Sequence, residues 1–150
     1  MTVSARKLVL TDALFIIGAV VLFMGAGFLY AKLQDRGQDG LLIKGTHFQT
    51  EVMTSDADMA RGLSGRDSIG SNNAMVFDFA KSSNQCFWMK DMKFPIDMVW
   101  VDEVGKVTAT ERNVQPSTYP ENFCHTGKKV IEFAAGTADR LPLYIGDKTE

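Results

Sequence analysis

The stretch CFWMKDMKFPIDMVWVD, Cys86 to Asp102, decides the fold of this chain. It gathers both tryptophans, three methionines and one of the two cysteines into one short run. Between Cys86 and Lys90, Phe87 and Met89 fall on one side of an extended chain, with Cys86, Trp88 and Lys90 on the other. That is the period-two pattern of a strand. Between Ile96 and Asp102, Ile96, Met98 and Trp100 oppose Val99 and Val101, so both faces are apolar and the strand belongs inside a sheet. The two halves together read as a β-hairpin-like region.

Working outward, Phe48, Thr50 and Val52 alternate with Gln49, Glu51 and Met53, which predicts a strand over His47–Thr54. Ser55 can cap a helix, with Asp58 reaching back at the third position, and the helix runs to about Leu63 before Gly62 or Gly65 ends it. Ala74–Phe79 predicts a strand with Met75, Phe77 and Phe79 on one face. Asp102–Lys106 supplies a turn in which Gly105 is free to take positive φ, and Val107–Arg112 returns as a strand. Asn113–Lys128, with Pro116 and Pro120, reads as a long loop. Lys129–Ala134 is a further strand, Thr137–Leu141 a helical turn and Leu143–Ile145 a last short strand. The expected class is α+β and mostly β, a curved antiparallel sheet or partly closed barrel with two short helices, preceded by one transmembrane helix.

That preceding helix comes from Ala13 to Ala31, which carries no charge. At 1.5 Å per residue it spans about 28 Å, close to the roughly 30 Å hydrocarbon core. Arg6 and Lys7 precede it, and residues of mixed sign, Lys32, Asp35 and Arg36, follow. The positive-inside rule then keeps the N-terminus in the cytoplasm and exports the domain. A cleaved signal peptide is the competing reading, since Gly25-Ala26-Gly27 offers small residues, but the run is long and lacks an A-x-A motif. The chain therefore divides into a cytoplasmic start and signal-anchor helix (1–33, membrane contact through 8–31), a polar linker (34–40) and one domain (41–150). A net charge of −2, spread without a basic stripe, argues against nucleic-acid binding.

RGLSGR at Arg61–Arg66, AMVFDF at Ala74–Phe79, the stretch from Cys86, and VIEFAAGTADRL at Val130–Leu141 followed by Ile145-Gly146-Asp147 resemble the DUF192 family. The resemblance covers roughly Val52 to Asp147 and implies a small, mostly β domain with short helices at its edge. It implies no activity, because the family's function is unknown. Ala74 stands where the family usually has glycine, and little sequence follows Asp147, so the closing strand is expected to be short or absent.

Export places Cys86 and Cys124 where disulfides persist, and a bridge between them would constrain the unfolded chain by roughly 4 kcal/mol. The alternatives are a Cu(I) site from Cys86, Cys124, His125 and Met89, or a nucleophilic cysteine, which needs a positioned base. In RGLSGR, Arg61 and Arg66 flank glycines whose amides could cradle an anion; the plainer reading is a helix end with an arginine paired to a carboxylate. Trp88 beside Lys90 could stack a saccharide, although core packing is the plainer reading of a tryptophan. Asp97, among apolar residues, must be paired or hydrogen-bonded if buried, and could otherwise act as a general acid or base. Glu132 and Asp102 are second carboxylates by position alone. No zinc spacing, nucleophile elbow, Walker loop or dinucleotide fingerprint occurs, and no cofactor or metal is expected.

Two functions follow. One is a membrane-tethered extracytoplasmic binding or accessory module for a small anionic or saccharide ligand, using Arg61, Arg66, Trp88, Lys90 and Asp97. The other is a small envelope hydrolase or transferase using Asp97 with Arg61 or Arg66. Protease added to intact cells should digest the domain and spare the tail before Arg6; a fully protected domain would overturn the orientation.

Overall fold

A computed structural model describes residues 40–150. The expected cytoplasmic start, membrane helix and most of the linker lie outside the described residues. Among the described residues no helix is long and apolar enough to cross a membrane. Gly40, assigned to the linker from sequence, already begins the first strand.

Six strands form one sheet: β1 (Gly40–Ile43), β2 (Thr46–Met53), β3 (Asn73–Phe87), β4 (Ile96–Val101), β5 (Val107–Val114) and β6 (Phe123–Ala134). Two short helices, α1 (Asp56–Arg61) and α2 (Thr137–Arg140), and a 3-10 turn at Pro116–Thr118 complete it. The spatial order is β1-β2-β3-β6-β4-β5. The mostly β architecture with two short helices is as expected, but the sheet is mixed. β2 and β3 run parallel, from Gln49 opposite Asn73 to Met53 opposite Phe77. Parallel neighbours need a long crossover, and α1 with the segment following it provides one.

The hairpin-like reading of Cys86–Asp102 is corrected. β6 lies between β3 and β4, so the two halves of that stretch are not neighbours. The strand foreseen at Ala74–Phe79 and the start of the one foreseen at Cys86–Lys90 are parts of one long β3, with a register slip between Asp78 and Ser83. It ends at Phe87, ahead of Trp88 and Lys90. The loop foreseen over Asn113–Lys128 is shorter, because β6 begins at Phe123 to pair with the far half of β3. β4 is the internal strand its two apolar faces demand: it lies between β6 and β5, and all six of its residues are buried.

Alternation along the strands produces two cores. One face holds Phe48, Val76, Val99, Val101, Ile131 and Phe133, joined by Ala138, Leu141 and Leu143 from α2 and beyond it. The other holds Met75, Phe77, Met98, Trp100 and Val130, covered by Leu63 and Met89. Trp100 is wholly buried, and its indole N–H donates to the Gln85 carbonyl at 3.0 Å.

The six-stranded sheet does not close. The last strand foreseen at Leu143–Ile145 is absent; Leu143 enters the core, while Tyr144 and Ile145 are exposed. The final residues instead bridge both sheet edges. Val107 N–H donates to the Asp147 carbonyl at 2.9 Å, while Leu42 and Glu150 exchange two bonds of 2.6 and 2.9 Å. Gly105, at φ 81°, lets this happen, since a Cβ there would sit 2.8 Å from the Thr149 carbonyl oxygen.

Asp97 anchors the first core. It is fully buried in β4, and its carboxyl oxygens accept N–H bonds from Asn113 of β5 and Ala138 of α2, both at 2.7 Å. Asp97→Ala should leave both amides unsatisfied and lower the unfolding free energy by about 3 kcal/mol or more, read from urea denaturation. A loss under about 1 kcal/mol would mean the two bonds are not what holds α2 to the sheet.

Candidate functional site

On the second face α1 ends at Gly62, whose N–H donates to the Asp58 carbonyl at 2.8 Å with φ at 48°. A Cβ at this glycine would lie 3.2 Å from the Phe77 ring, so glycine lets the helix end settle close over β3. Between this helix end, the far half of β3 and the residues after it lies a cleft of about 260 Å³. Phe77, Phe79, Phe87, Met59 and Met92 supply its apolar walls, Arg61 and Trp88 also line it, and Glu132 of β6 reaches it from the sheet. Phe87 packs edge-on against Phe77 with centroids 4.8 Å apart, which fixes the aromatic wall.

Glu132 is the unusual group. Its register partners on either side are Met75 and Met98, so it is flanked by methionines of the second core and is only 5% exposed. Among the described residues its Oε2 has no hydrogen-bond partner. Burial in these surroundings pushes its pKa up to about 8, against a smaller opposing pull from Arg66. The carboxyl therefore keeps its proton at neutral pH and offers both an O–H donor and an acceptor.

The residues picked from sequence are divided by the fold. Arg61 and Trp88 share the cleft, and Trp88 is 49% exposed there. Arg66 lies along a neighbouring cleft of about 300 Å³ and makes two 2.8 Å bonds to Glu51. That pairing lowers the Glu51 pKa and raises that of Arg66, although the pair is solvent-exposed and contributes little to stability. Arg61 is paired with Asp58 at 2.8 Å. The amides of Gly62, Ser64, Gly65 and Arg66 donate to the carbonyls of Asp58, Arg61, Asp91 and Leu63, so none of these four faces outward as an anion cradle. Lys90 is exposed and stands apart from the cleft lining, with its carbonyl accepting the Ser64 hydroxyl at 2.8 Å.

Asp97 belongs to the opposite core and does not reach the cleft. Cys86 and Cys124, directly opposed on β3 and β6, are joined in a disulfide at the cleft's edge. Met89 is buried in the second core and His125 bonds Glu111 at 2.7 Å, so the copper ligand set is not assembled. Sequence reasoning reached Glu132 by position only. The available signal was an acid in the middle of the apolar run Val130-Ile131-Glu132-Phe133, which two-sided burial makes costly.

This cost has a sign. Unfolded, Glu132 ionises near its ordinary value of 4.5; folded, it holds its proton to about 8. The folded state thus binds more protons between those values, and the stability present below pH 4.5 is lost as pH rises through 8. Glu132→Gln should flatten this slope and raise the unfolding free energy at pH 8 by an amount on the order of a few kcal/mol. Equal pH slopes for variant and parent between pH 5 and pH 8 would contradict the assignment.

The DUF192 family model, described as "Uncharacterized ACR", matches residues 41–150. No curated protein matches the chain. Two solved structures share the fold. A protein of unknown function from Novosphingobium aromaticivorans DSM 12444 is 27% identical, with TM-score 0.68 over 74% of this chain and 83% of that one. A protein described as a "putative transcription regulator" from Sinorhizobium meliloti 1021 is 25% identical, with TM-score 0.66 over 69% of this chain and 81% of that one.

Proposed function

The chain belongs to the DUF192 family, and from that premise we propose that its domain is a binding or accessory module that takes a small ligand into the Glu132 cleft. In this proposal the uncharged stretch Ala13–Ala31 tethers the module outside the cytoplasm. The single observation that carries the reading is the Glu132 Oε2, buried beside an aromatic wall and lacking a partner. A polar atom left unsatisfied in a folded core costs about 1–3 kcal/mol, so a carboxyl kept in that state on a cleft's lining supports a role in binding.

Of the two ligand classes suggested by the sequence, the saccharide fits better than the anion. Both arginines already have carboxylate partners, whereas Trp88 remains half-exposed at the cleft. The hydrolase or transferase alternative has less support. Asp97, its proposed acid or base, is sealed on the other face with both oxygens engaged by backbone amides.

The test is a fragment titration of the full-length chain, followed by amide shifts. Neutral, cationic and anionic fragments are all included, so that the outcome does not presuppose a class. Shifts should concentrate at Leu63, Gln85 and Trp88, and Ala60→Trp, a bulky group at an exposed position on the lining, should weaken them. Silence at those residues across the whole panel would remove the binding reading.

A further inference from the structure

We infer that the cleft's ligand is a neutral, hydroxyl-bearing ring compound of the saccharide or cyclic-polyol class, bound by a hydroxyl on the Glu132 carboxyl and an apolar ring face against the aromatic wall. This rests on the binding reading above and narrows it through the group on the cleft's inner side.

Three features select the class. First, the arginines and the loop amides that would receive an anion are already engaged. Arg61 is held by Asp58, Arg66 by Glu51, and the amides of Gly62, Ser64, Gly65 and Arg66 are all donating within the protein. Second, a cation meets the wrong field. Glu132 is the carboxyl on the cleft's lining, and burial keeps it neutral, so it offers no countercharge to an ammonium group. Third, a protonated carboxyl both donates and accepts, and a hydroxyl does the same, so one hydroxyl can satisfy it without moving a proton.

The walls agree with the chemistry of the inner face. Phe77, Phe79, Phe87 and Trp88 supply apolar aromatic surface for the C–H face of a ring, while Gln85 and Ser64 also line the cleft, the Gln85 side-chain amide donating to the Ser83 hydroxyl and the Ser64 hydroxyl to the Lys90 carbonyl, both at 2.8 Å. At about 260 Å³ the cleft falls just under the usual small-molecule range of about 300–1,000 Å³, which suits one ring and not a chain of them.

The experiment uses the full-length chain with myo-inositol, glucose and N-acetylglucosamine as neutral probes, tetramethylammonium as the cation and benzoate as the anion. Binding is read from the Trp88 indole and the Leu63 and Gln85 amides. At least one neutral probe should bind better than both charged probes. Glu132→Gln, which keeps a donor and an acceptor, should retain its affinity within about threefold, and Glu132→Leu should lose about tenfold or more. Unchanged amide shifts on the Asp97 face confirm that each variant is folded. Tighter binding of tetramethylammonium or benzoate at those residues overturns the ligand class and leaves the binding module standing. Undiminished polyol affinity in a folded Glu132→Leu variant overturns the role of the carboxyl. If no probe of any charge moves the cleft residues, both readings fall together.

Discussion

The carboxyl of Asp97, fully buried and bonded at 2.7 Å to two backbone amides, is the constraint on which the arrangement of the sheet depends. One amide belongs to Asn113 on the neighbouring β5, the other to Ala138 in the first turn of α2. A four-residue helix has too few internal bonds to hold itself together and takes its stability from what it docks on. Here it docks through Asp97, while Ala138, Leu141 and Leu143 fill the core beside it. From Leu143 the chain turns back to bridge the sheet's two edges at Val107 and Leu42. The position of β5, the docking of α2 and the path of the C-terminal residues therefore meet at one side chain.

Glu132 shows what happens when the same kind of group is buried without such partners. In the β4–β6 ladder Asp97 pairs with Phe133 and Met98 with Glu132, so the two acids stand one ladder position apart and face opposite cores. Asp97 has both oxygens occupied by the backbone and is structural. Glu132 has an orphaned oxygen, a raised pKa and a cleft beside it. Natural cores carry few unsatisfied polar atoms, so a carboxyl kept in that state points to a role outside folding. The methionines around it, Met75 and Met98 in the sheet with Met59 and Met92 at the cleft, adapt their shape to a neighbour more easily than branched residues would.

The disulfide has a comparable division of roles. It joins exposed residues on the far halves of β3 and β6, beyond the register slip at Asp78 to Ser83, beside Phe87 and Phe123, which pack against the second core. The covalent link keeps the strand ends opposed, and with them Gln85, Cys86 and Phe87, which line the cleft.

Local chemistry in the chain determined a good deal by itself. Two-sided apolar alternation placed Ile96–Val101 inside a sheet, Ser55 and Asp58 marked the start of α1, Gly62 or Gly65 its end, of which the fold uses Gly62, and Gly105 the β4–β5 turn. These features depend on periodicity, capping and φ, which neighbouring residues settle among themselves. Only the tertiary structure decided that β6 enters between β3 and β4, that β2 and β3 run parallel, and that Asp97 and Glu132 part to opposite faces. The same is true of which candidates meet: Arg61 and Trp88 converge on the cleft, Asp97 does not, and Glu132 takes the place beside them. Strand order is set by contacts between residues far apart in the chain, and a strand's alternation reveals its faces but not its neighbour.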